Sequence, residues 1–529
     1  MPSMVCTASM KSHSSSSTSS SSSSTTTIPR PPRRRQCWEC LRRRLVCDFG
    51  TPSCNKCRAA GVTCPGYGEK KPLKWIPPGR VNSRTRQRRR PPASEPKETA
   101  QITSPKHAIL VAEDPDPPSG SCSPERAVVE LSIPLLQLGA EASAVVQAAS
   151  YYNACIYPSF AAFHQLAPNP YITRFSHAVI PHLPPAMCHL LVCLALGHRI
   201  QSLMLNTNYG ALVEVRSRLY HHRGMAIQLL ADAIGNAITR TSDLTIASVL
   251  MLLFTDARQS ISSNWRHHCV GANELIMLRG GLPELYRSSP ALKQSLLYFI
   301  IIGVIGNTTT PPADQIAASS HGHLIDFVGE IYGDGLFPVL PCPPPLFRNI
   351  IEINHLRSLA TVPAYAREPL QSAAEALLER ISAFSPDQWS PANAAAAYHD
   401  EWLLLGRIYH SAVSLFGIAA LQSAGLLPAT PLRDSTRAAH ARVLFLLLRR
   451  AMRSHPIQKG MMWPLIVAGV EAARAGPADR AFVDEQLTET SRDLGTPVPL
   501  QAKPLFQRFW ASGNVEWDDC FDRSLVFVV

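Results

Sequence analysis

The stretch that decides the fold at the start of the chain runs Cys37-Trp-Glu-Cys40-Leu-Arg-Arg-Arg-Leu-Val-Cys47-Asp-Phe-Gly-Thr-Pro-Ser-Cys54-Asn-Lys-Cys57-Arg-Ala-Ala-Gly-Val-Thr-Cys64. It contains the pattern C-x2-C-x6-C twice, and each cysteine of the second copy follows its counterpart by 17 residues. Thiolates at C-x2-C spacing can hold one soft metal ion from a single tight turn, and zinc takes four such ligands. The repeat therefore predicts a zinc site.

The six predicted metal ligands are Cys37, Cys40, Cys47, Cys54, Cys57 and Cys64. Six thiolates can form one four-ligand site with two left over, or two tetrahedral sites that share two bridging thiolates. The repeat favours sharing, and hence two zinc ions per chain, because each copy offers equivalent ligands. An all-thiolate shell has no position for water, so the predicted site is structural and stabilises a segment too short to fold alone.

Cysteine usage elsewhere predicts a reducing compartment. The chain has 529 residues and 14 cysteines, and the eight outside this stretch are scattered, several of them in apolar surroundings. Residues 1–24 contain no apolar run of the kind found in a secretory signal, so metal binding is favoured over disulfides. The most apolar run, Leu296 to Ile305, is about ten residues, whereas a membrane span needs roughly 20. We therefore expect a buried helix there and no membrane partner.

Positive charge is concentrated near the cysteines. Residues 29–92 hold 18 Lys and Arg against three acids, whereas the whole chain has a net charge of +12. The remainder is thus slightly acidic. A basic arm on an otherwise ordinary protein is typical of a nucleic-acid-binding segment.

Composition divides the chain into four regions. Residues 1–28 are rich in Ser and Thr and predict a disordered tail. Residues 29–66 form the cysteine module, and residues 67–127 continue as a basic extension and a Pro-rich flexible linker with no apolar heptad for a coiled coil. Residues 128–529 carry Leu, Ala, Ile and Val at helical spacing, which predicts a large all-α domain.

The helical spacing and the positions of Pro and Gly give thirteen candidate helices in this domain. They are 138–155, 185–206, 209–235, 243–259, 264–279, 290–306, 345–360, 367–384, 392–424, 433–453, 463–475, 478–494 and 502–511.

The spacing C-x2-C-x6-C-x6-C-x2-C-x6-C resembles that of the fungal zinc binuclear cluster (Zn2Cys6) transcription factors over all six ligands. The resemblance implies two zinc ions bridged by Cys37 and Cys54, within a small zinc-stapled module of two short helices and loops. Asp48 and Pro52 also match the family pattern. Trp265-Arg266-His267-His268 and Arg279-Gly280-Gly281 are similar to the helical regulatory domain of one subgroup of the family.

The resemblance also implies a set of DNA contacts. Arg42, Arg43 and Arg44 would lie on the helix after Cys40, with Arg44 at the main base-reading position for CGG-type triplets; an Arg fork matches guanine O6 and N7. The family usually has basic residues where this chain has Leu41 and Val46, so the contact set is thinner than usual. The other predicted contacts to DNA are Lys56, Arg58, Lys70, Lys71 and Lys74.

These observations predict a nuclear regulator of RNA polymerase II genes that binds double-stranded DNA. Its helical domain would bind co-regulators, form a homodimer or sense a metabolite. The alternative is a zinc-stapled scaffold that binds proteins without reading DNA. No common catalytic motif occurs in the sequence, so no enzymatic activity is expected. The acidic and aromatic stretch Trp517 to Asp522 predicts either an activation segment or an end element packed on the helical domain.

Overall fold

The computed structural model describes residues 37–43, 45–66, 140–166, 173–176, 178–204, 209–259, 265–316, 321–333, 340–389 and 396–528. The chain forms two compact units, residues 1–114 and 115–529, which are described separately. The predicted disordered tail and flexible linker lie outside the described residues. Within the described residues the secondary structure is helical, with no β-strand. The predicted combination of a small zinc-stapled module and a large all-α domain is confirmed.

The first unit contains two short helices, α1 (Trp38–Arg43) and α2 (Asn55–Ala59), one at the start of each cysteine copy. Five of its cysteines form a buried cluster, and Cys64 packs against this cluster. The described residues of this unit have no other buried apolar side chain. The packed cysteine side chains therefore take the place of the apolar core that a longer domain would have.

The second unit contains sixteen described α-helices. They are α3 (Ala140–Tyr151), α4 (Tyr157–Leu166), α5 (Pro185–Met204), α6 (Tyr209–Gly235), α7 (Asp243–Gln259), α8 (Trp265–Leu278), α9 (Leu282–Ser288), α10 (Lys293–Thr309), α11 (His321–Gly333), α12 (Pro344–Leu359), α13 (Arg367–Ser382), α14 (His399–Ser423), α15 (Pro431–Ala451), α16 (Met462–Glu471), α17 (Pro477–Leu494) and α18 (Val498–Ser512).

All thirteen predicted helices overlap observed ones, and the bounds of α6 and α7 agree residue for residue. The prediction missed α4, α9 and α11. Both α4 and α9 have a proline at their second position. A proline in the first turn of a helix removes no intrahelical hydrogen bond, but in a sequence it also indicates a break between helices, so these two helices were not predicted. Between α3 and α4 the chain makes a π-helical turn, Tyr152–Ile156, so the first predicted helix continues further than expected.

The core of this unit is centred on α14, which packs against α12, α13, α15 and α16. Its Tyr409 stacks on Trp463 with ring centroids 6.3 Å apart, and its Phe416 meets Trp517 edge-to-face at 4.8 Å. The indole N–H of Trp517 donates to the Thr308 carbonyl at 2.7 Å. Large aromatic side chains in such contacts contribute strongly to stability, and the indole group needs a partner when it is buried.

The segment after α18 completes this core, which confirms the packing interpretation of the acidic and aromatic stretch. Trp517 and Phe527 are both 0% exposed. The backbone N–H of Leu525 donates to the Thr309 hydroxyl, which in turn donates to the Leu525 carbonyl. Asp518 pairs with the buried Arg357. An extended segment held by paired hydrogen bonds, an ion pair and apolar contacts is an integral part of the domain.

Three helices are long and apolar enough to cross a membrane, judged by length and composition alone: Pro185–Leu203, Pro290–Thr309 and His399–Ser423. The second includes the apolar run for which the sequence favours a buried helix. Within this fold 56%, 72% and 83% of their respective apolar windows are buried against other parts of the protein. Packing inside the domain thus accounts for their composition.

A buried ion pair links α15 to α16. Arg437 and Glu471 have side chains that are each 2% exposed, and the guanidinium contacts both carboxylate oxygens at 2.7–3.0 Å. Removing one partner of such a pair leaves an uncompensated buried charge. The pair therefore constrains how these helices pack.

We predict that Arg437→Ala lowers the free energy of unfolding by about 3–5 kcal/mol, measured by denaturant unfolding of the full chain. The control is Arg407→Ala, which removes an exposed pair with Asp387 and should cost less than about 1 kcal/mol. A double variant that combines Arg437→Met with Glu471→Leu removes both charges and should recover most of the loss. Equal losses in the two alanine variants would contradict the prediction.

Candidate metal centre and nucleic-acid interface

The two cysteine copies adopt the same local structure. Cys37 directly precedes α1, and Cys54 caps the N-terminus of α2. In each copy the backbone N–H of the second cysteine donates to the Sγ atom of the first: Cys40 to Cys37 and Cys57 to Cys54, both at 3.4 Å. Such donors stabilise a thiolate. The sequence repeat is therefore also a structural repeat.

Four sulfur atoms form the centre of the module. The Sγ atoms of Cys37, Cys40, Cys54 and Cys57 all lie within 4.8 Å of one another. The distances are 3.6 Å for Cys37–Cys54 and Cys40–Cys54, and 3.7 Å for Cys37–Cys57. A tetrahedron with Zn–S bonds of about 2.3 Å has edges of about 3.8 Å. The observed sulfur spacing therefore fits zinc.

The remaining two cysteines extend this centre. Cys47, Asp48 and Cys54 form a second group of potential ligand atoms within 4.8 Å of one another, so Cys54 belongs to both groups. Cys64 is half-buried. A hydrogen bond with the Cys54 backbone lowers the pKa of the Cys64 thiol, and smaller contributions come from the sulfurs of Cys37 and Cys54. The fold thus brings together all six cysteines that the sequence selected.

Burial makes the thiols of the cluster difficult to ionise. Burial, followed by the neighbouring cysteine sulfurs, raises the pKa of the Cys57 thiol to about 12. The same causes raise the pKa of Cys40 further. A bound divalent metal reverses this preference, because a coordinating thiol is deprotonated outright. Thiolates can therefore gather at this spacing when a metal neutralises them.

Asp48 connects the two copies. Its Oδ2 atom accepts a hydrogen bond from the Asn55 backbone N–H at 3.0 Å, and this bond is the main reason that the pKa of Asp48 lies below its ordinary value. The sequence analysis noted Asp48 only as a matching position. A helix-cap motif could not have predicted this contact, because the N-cap residue of α2 is Cys54, whereas Asp48 lies six residues before it. The peptide bond Thr51–Pro52, between the copies, is cis.

Basic side chains surround the cluster. Arg43 on α1 is exposed, as are Lys56 and Arg58 on α2, and Arg58 also donates to the Ser53 carbonyl at 3.4 Å. Arg42 lies within α1. The other predicted DNA contacts lie outside the described residues: Arg44, Lys70, Lys71 and Lys74.

Leu41 and Val46, which occupy positions where the family usually has basic residues, are 55% and 78% exposed. Neither contributes to a core of the module. They therefore present apolar surface on the module.

Taken together, a cluster of six cysteines with zinc-compatible spacing and exposed cationic side chains on two short helices define a zinc-stapled, DNA-binding module. Comparison with known proteins agrees. The Fungal Zn(2)-Cys(6) binuclear cluster domain matches residues 35–74, and the Fungal specific transcription factor domain matches residues 148–524. The chain belongs to the fungal zinc cluster transcription factors, and it is accordingly a zinc-binding transcription regulator.

Two curated relatives are transcriptional regulators. The chain is 34% identical over 509 residues to the phomenoic acid biosynthesis cluster-specific transcriptional regulator of Leptosphaeria maculans, covering 94% of this chain and 90% of that protein. It is 53% identical over 34 residues to the pestheic acid cluster transcriptional regulator 3 of Pestalotiopsis fici, covering 6% of each. No solved structure matches the chain.

Proposed function

We propose that this protein is a nuclear, sequence-specific regulator of RNA polymerase II genes that reads CGG-type triplets through a binuclear zinc cluster. The observation that carries the proposal is the convergence of six cysteines in a module whose two short helices carry the exposed cations Arg43, Lys56 and Arg58. Binding would combine salt-dependent phosphate contacts with base contacts in the major groove. Arg43 and Arg44 would contact bases, and Arg42, Lys56, Arg58, Lys70, Lys71 and Lys74 would supply the remaining contacts.

In the proposed cluster, one zinc ion is bound by Cys37, Cys40, Cys47 and Cys54, and the other by Cys54, Cys57, Cys64 and Cys37. The presence of Cys54 in both ligand groups supports this sharing. The rival arrangement is a single zinc ion on Cys37, Cys40, Cys54 and Cys57, whose sulfurs also lie close together. The zinc content of the protein separates the two.

We further propose that the target genes form a biosynthetic cluster. The support is the long match to the Leptosphaeria regulator, which covers nearly the whole of both chains. The helical domain would recruit co-regulators, and no catalytic role is assigned to it. The alternative function, a zinc-stapled scaffold for proteins, is weakened because the arginines of α1 lie in a strongly basic segment. A DNA selection that enriches no motif would favour the scaffold.

Helix α6 supports a homodimer. Its side chains Val213, Tyr220 and Ile227, spaced by seven residues, are 56%, 58% and 37% exposed. Each is followed four residues later by a small exposed residue: Ser217, Gly224 and Ala231. We call these six residues the α6 stripe. Helix α5 packs along the buried side of α6, so the stripe faces outward.

The α6 stripe is complementary to itself when two copies pair antiparallel about a twofold axis. Each large side chain then faces a small one: Tyr220 faces Gly224, Val213 faces Ala231 and Ile227 faces Ser217 of the second copy. A helix of 27 residues is about 40 Å long, which gives an interface at the small end of the range for specific complexes. DNA that holds two copies on adjacent sites would raise their effective concentration.

We predict two zinc ions per full-length chain, measured by atomic emission on protein of known concentration. Cys47→Ala removes a ligand of one ion only, so it should lower the zinc content, whereas Cys193→Ala, a buried cysteine of the helical domain, should not change it. Wild-type protein with a single zinc ion would overturn the bridged arrangement.

Arg44→Ala should abolish the preference for the selected triplet and cost about 1–3 kcal/mol of binding free energy, measured by competition binding. Lys71→Ala removes a predicted phosphate contact and should weaken binding to all sequences alike. If both variants weaken specific and non-specific DNA equally, Arg44 does not read bases.

Tyr220→Arg should weaken self-association at least about tenfold in sedimentation experiments and reduce cooperative binding to DNA with two sites, since an arginine cannot face Gly224 without losing apolar contact. Binding to a single site should not change. Leu432→Arg is the control, because Leu432 is 79% exposed on α15, outside the stripe. A monomeric wild-type protein on two-site DNA would refute the pairing.

A further inference from the structure

Arg258, at the end of α7, is a buried cation without a carboxylate partner. It is 3% exposed. Its Nη2 atom donates to the Leu494 carbonyl at 2.6 Å, whereas its Nη1 atom has no hydrogen-bond partner among the described residues. Burial lowers the pKa of Arg258 to about 10, so the guanidinium is still charged at neutral pH. A buried charge of this kind is costly unless it is paired.

The other buried arginines each have the carboxylate partner that Arg258 lacks. Among the described residues three arginines are buried: Arg258, Arg357 and Arg437. Arg357 pairs with Asp518, and Arg437 pairs with Glu471. No described carboxylate lies within ion-pair distance of Arg258. Arg258 is therefore the described buried arginine whose charge the protein leaves uncompensated.

Neighbouring titratable groups do not neutralise it. Burial, and then the positive charge of Arg258, lower the pKa of His198 to about 3, so this imidazole is neutral at physiological pH. Lys459 is a second cation near enough to Arg258 for each charge to affect the other, and its closest acidic influence is the exposed Asp493. The interior at this point is electrostatically positive.

Aromatic side chains surround the guanidinium. The Phe160 ring centroid lies 5.2 Å from its central carbon. Burial raises the pKa values of Tyr152 and Tyr298, and the nearby charge of Arg258 opposes the rise at both hydroxyls. The Tyr298 ring packs 5.4 Å from that of Phe254. These aromatic residues are only partly buried, whereas Arg258 is fully buried.

Two further features point to the same place. The Gln294 amide lies beside the Tyr298 hydroxyl, yet neither its nitrogen nor its oxygen makes a hydrogen bond of normal geometry. Tyr152 begins the π-helical turn between α3 and α4. Such turns are rare and occur frequently at functional sites, since they redirect side chains. Tyr152 and Tyr298, which lie on separate helical elements, are thus both within electrostatic range of Arg258.

We propose that Arg258 heads a binding site for an organic carboxylate with an apolar body. The carboxylate would bind Nη1 of Arg258 and accept hydrogen bonds from the hydroxyls of Tyr152 and Tyr298. The rings of Phe160 and Phe254 would contact the apolar body. A few placed polar groups within aromatic walls are typical of small-molecule sites, and arginine suits carboxylate recognition. This inference rests on the proposed regulatory role of the helical domain.

The test compares matched charged and neutral probes on the full-length protein. Octanoate and benzoate should raise the melting temperature by about 2–4 °C at saturation, whereas octanamide and benzamide should not. Equal shifts with the amides, equal shifts with chloride or phosphate, or no shift with either carboxylate would overturn the proposal. Each comparison uses wild-type protein, so it does not depend on a variant that folds.

Variants then locate the site. Arg258→Met removes the charge and keeps the volume, and should abolish the octanoate shift. Arg266→Met is the control, because Arg266 bonds Ser524 and Asp314 elsewhere and should leave the shift intact. If Arg258→Met does not fold, Tyr298→Phe should weaken octanoate binding at least about threefold, since it removes one hydrogen bond. An unchanged shift in either folded variant would overturn the assignment.

DNA binding in the same samples separates this proposal from the proposed function. Protein that binds the selected triplet but no carboxylate overturns the ligand site alone. Protein that binds carboxylate through Arg258 but no specific DNA supports the ligand site and refutes the DNA-reading function.

Discussion

A charge placed inside this protein is costly unless it is paired there, and much of the structure follows from that constraint. In the first unit, clustered cysteine sulfurs can ionise only around a metal ion, so metal binding and folding are one process. In the second unit, Arg437 and Arg357 each face a carboxylate supplied by a different element. The same constraint makes Arg258 informative, since it is the one of these buried arginines without such a partner.

The sequence was sufficient for features that depend on local spacing. The six cysteines could be selected because the chain itself places them at chelating intervals. The bounds of α6 and α7 could be read because apolar residues recur at helical spacing within them and short, mainly polar stretches separate them from their neighbours. Helices α4, α9 and α11 were missed because proline and glycine near their starts indicate a break as readily as a beginning.

Features that depend on distant residues could not be predicted. The bond from Asn55 to Asp48 joins two cysteine copies across an irregular loop, with no motif to announce it. The surroundings of Arg258 come from Tyr152, Tyr298 and Leu494, which lie on three separate parts of the fold. Burial and pairing at such points are properties of the assembled domain, and an arginine near the end of a helical sequence gives no sign of either.

The packing of the final segment has a kinetic consequence. The Thr309 hydroxyl and the Leu525 backbone bind each other across a sequence separation of 216 residues. Until that distant segment arrives, the C-terminal end of α10 lacks part of its cover, because Val526 lies beside Gly306 and Trp517 donates to the Thr308 carbonyl. Contacts of such high sequence separation form slowly. The final segment is therefore expected to dock late in folding, after α10 has formed.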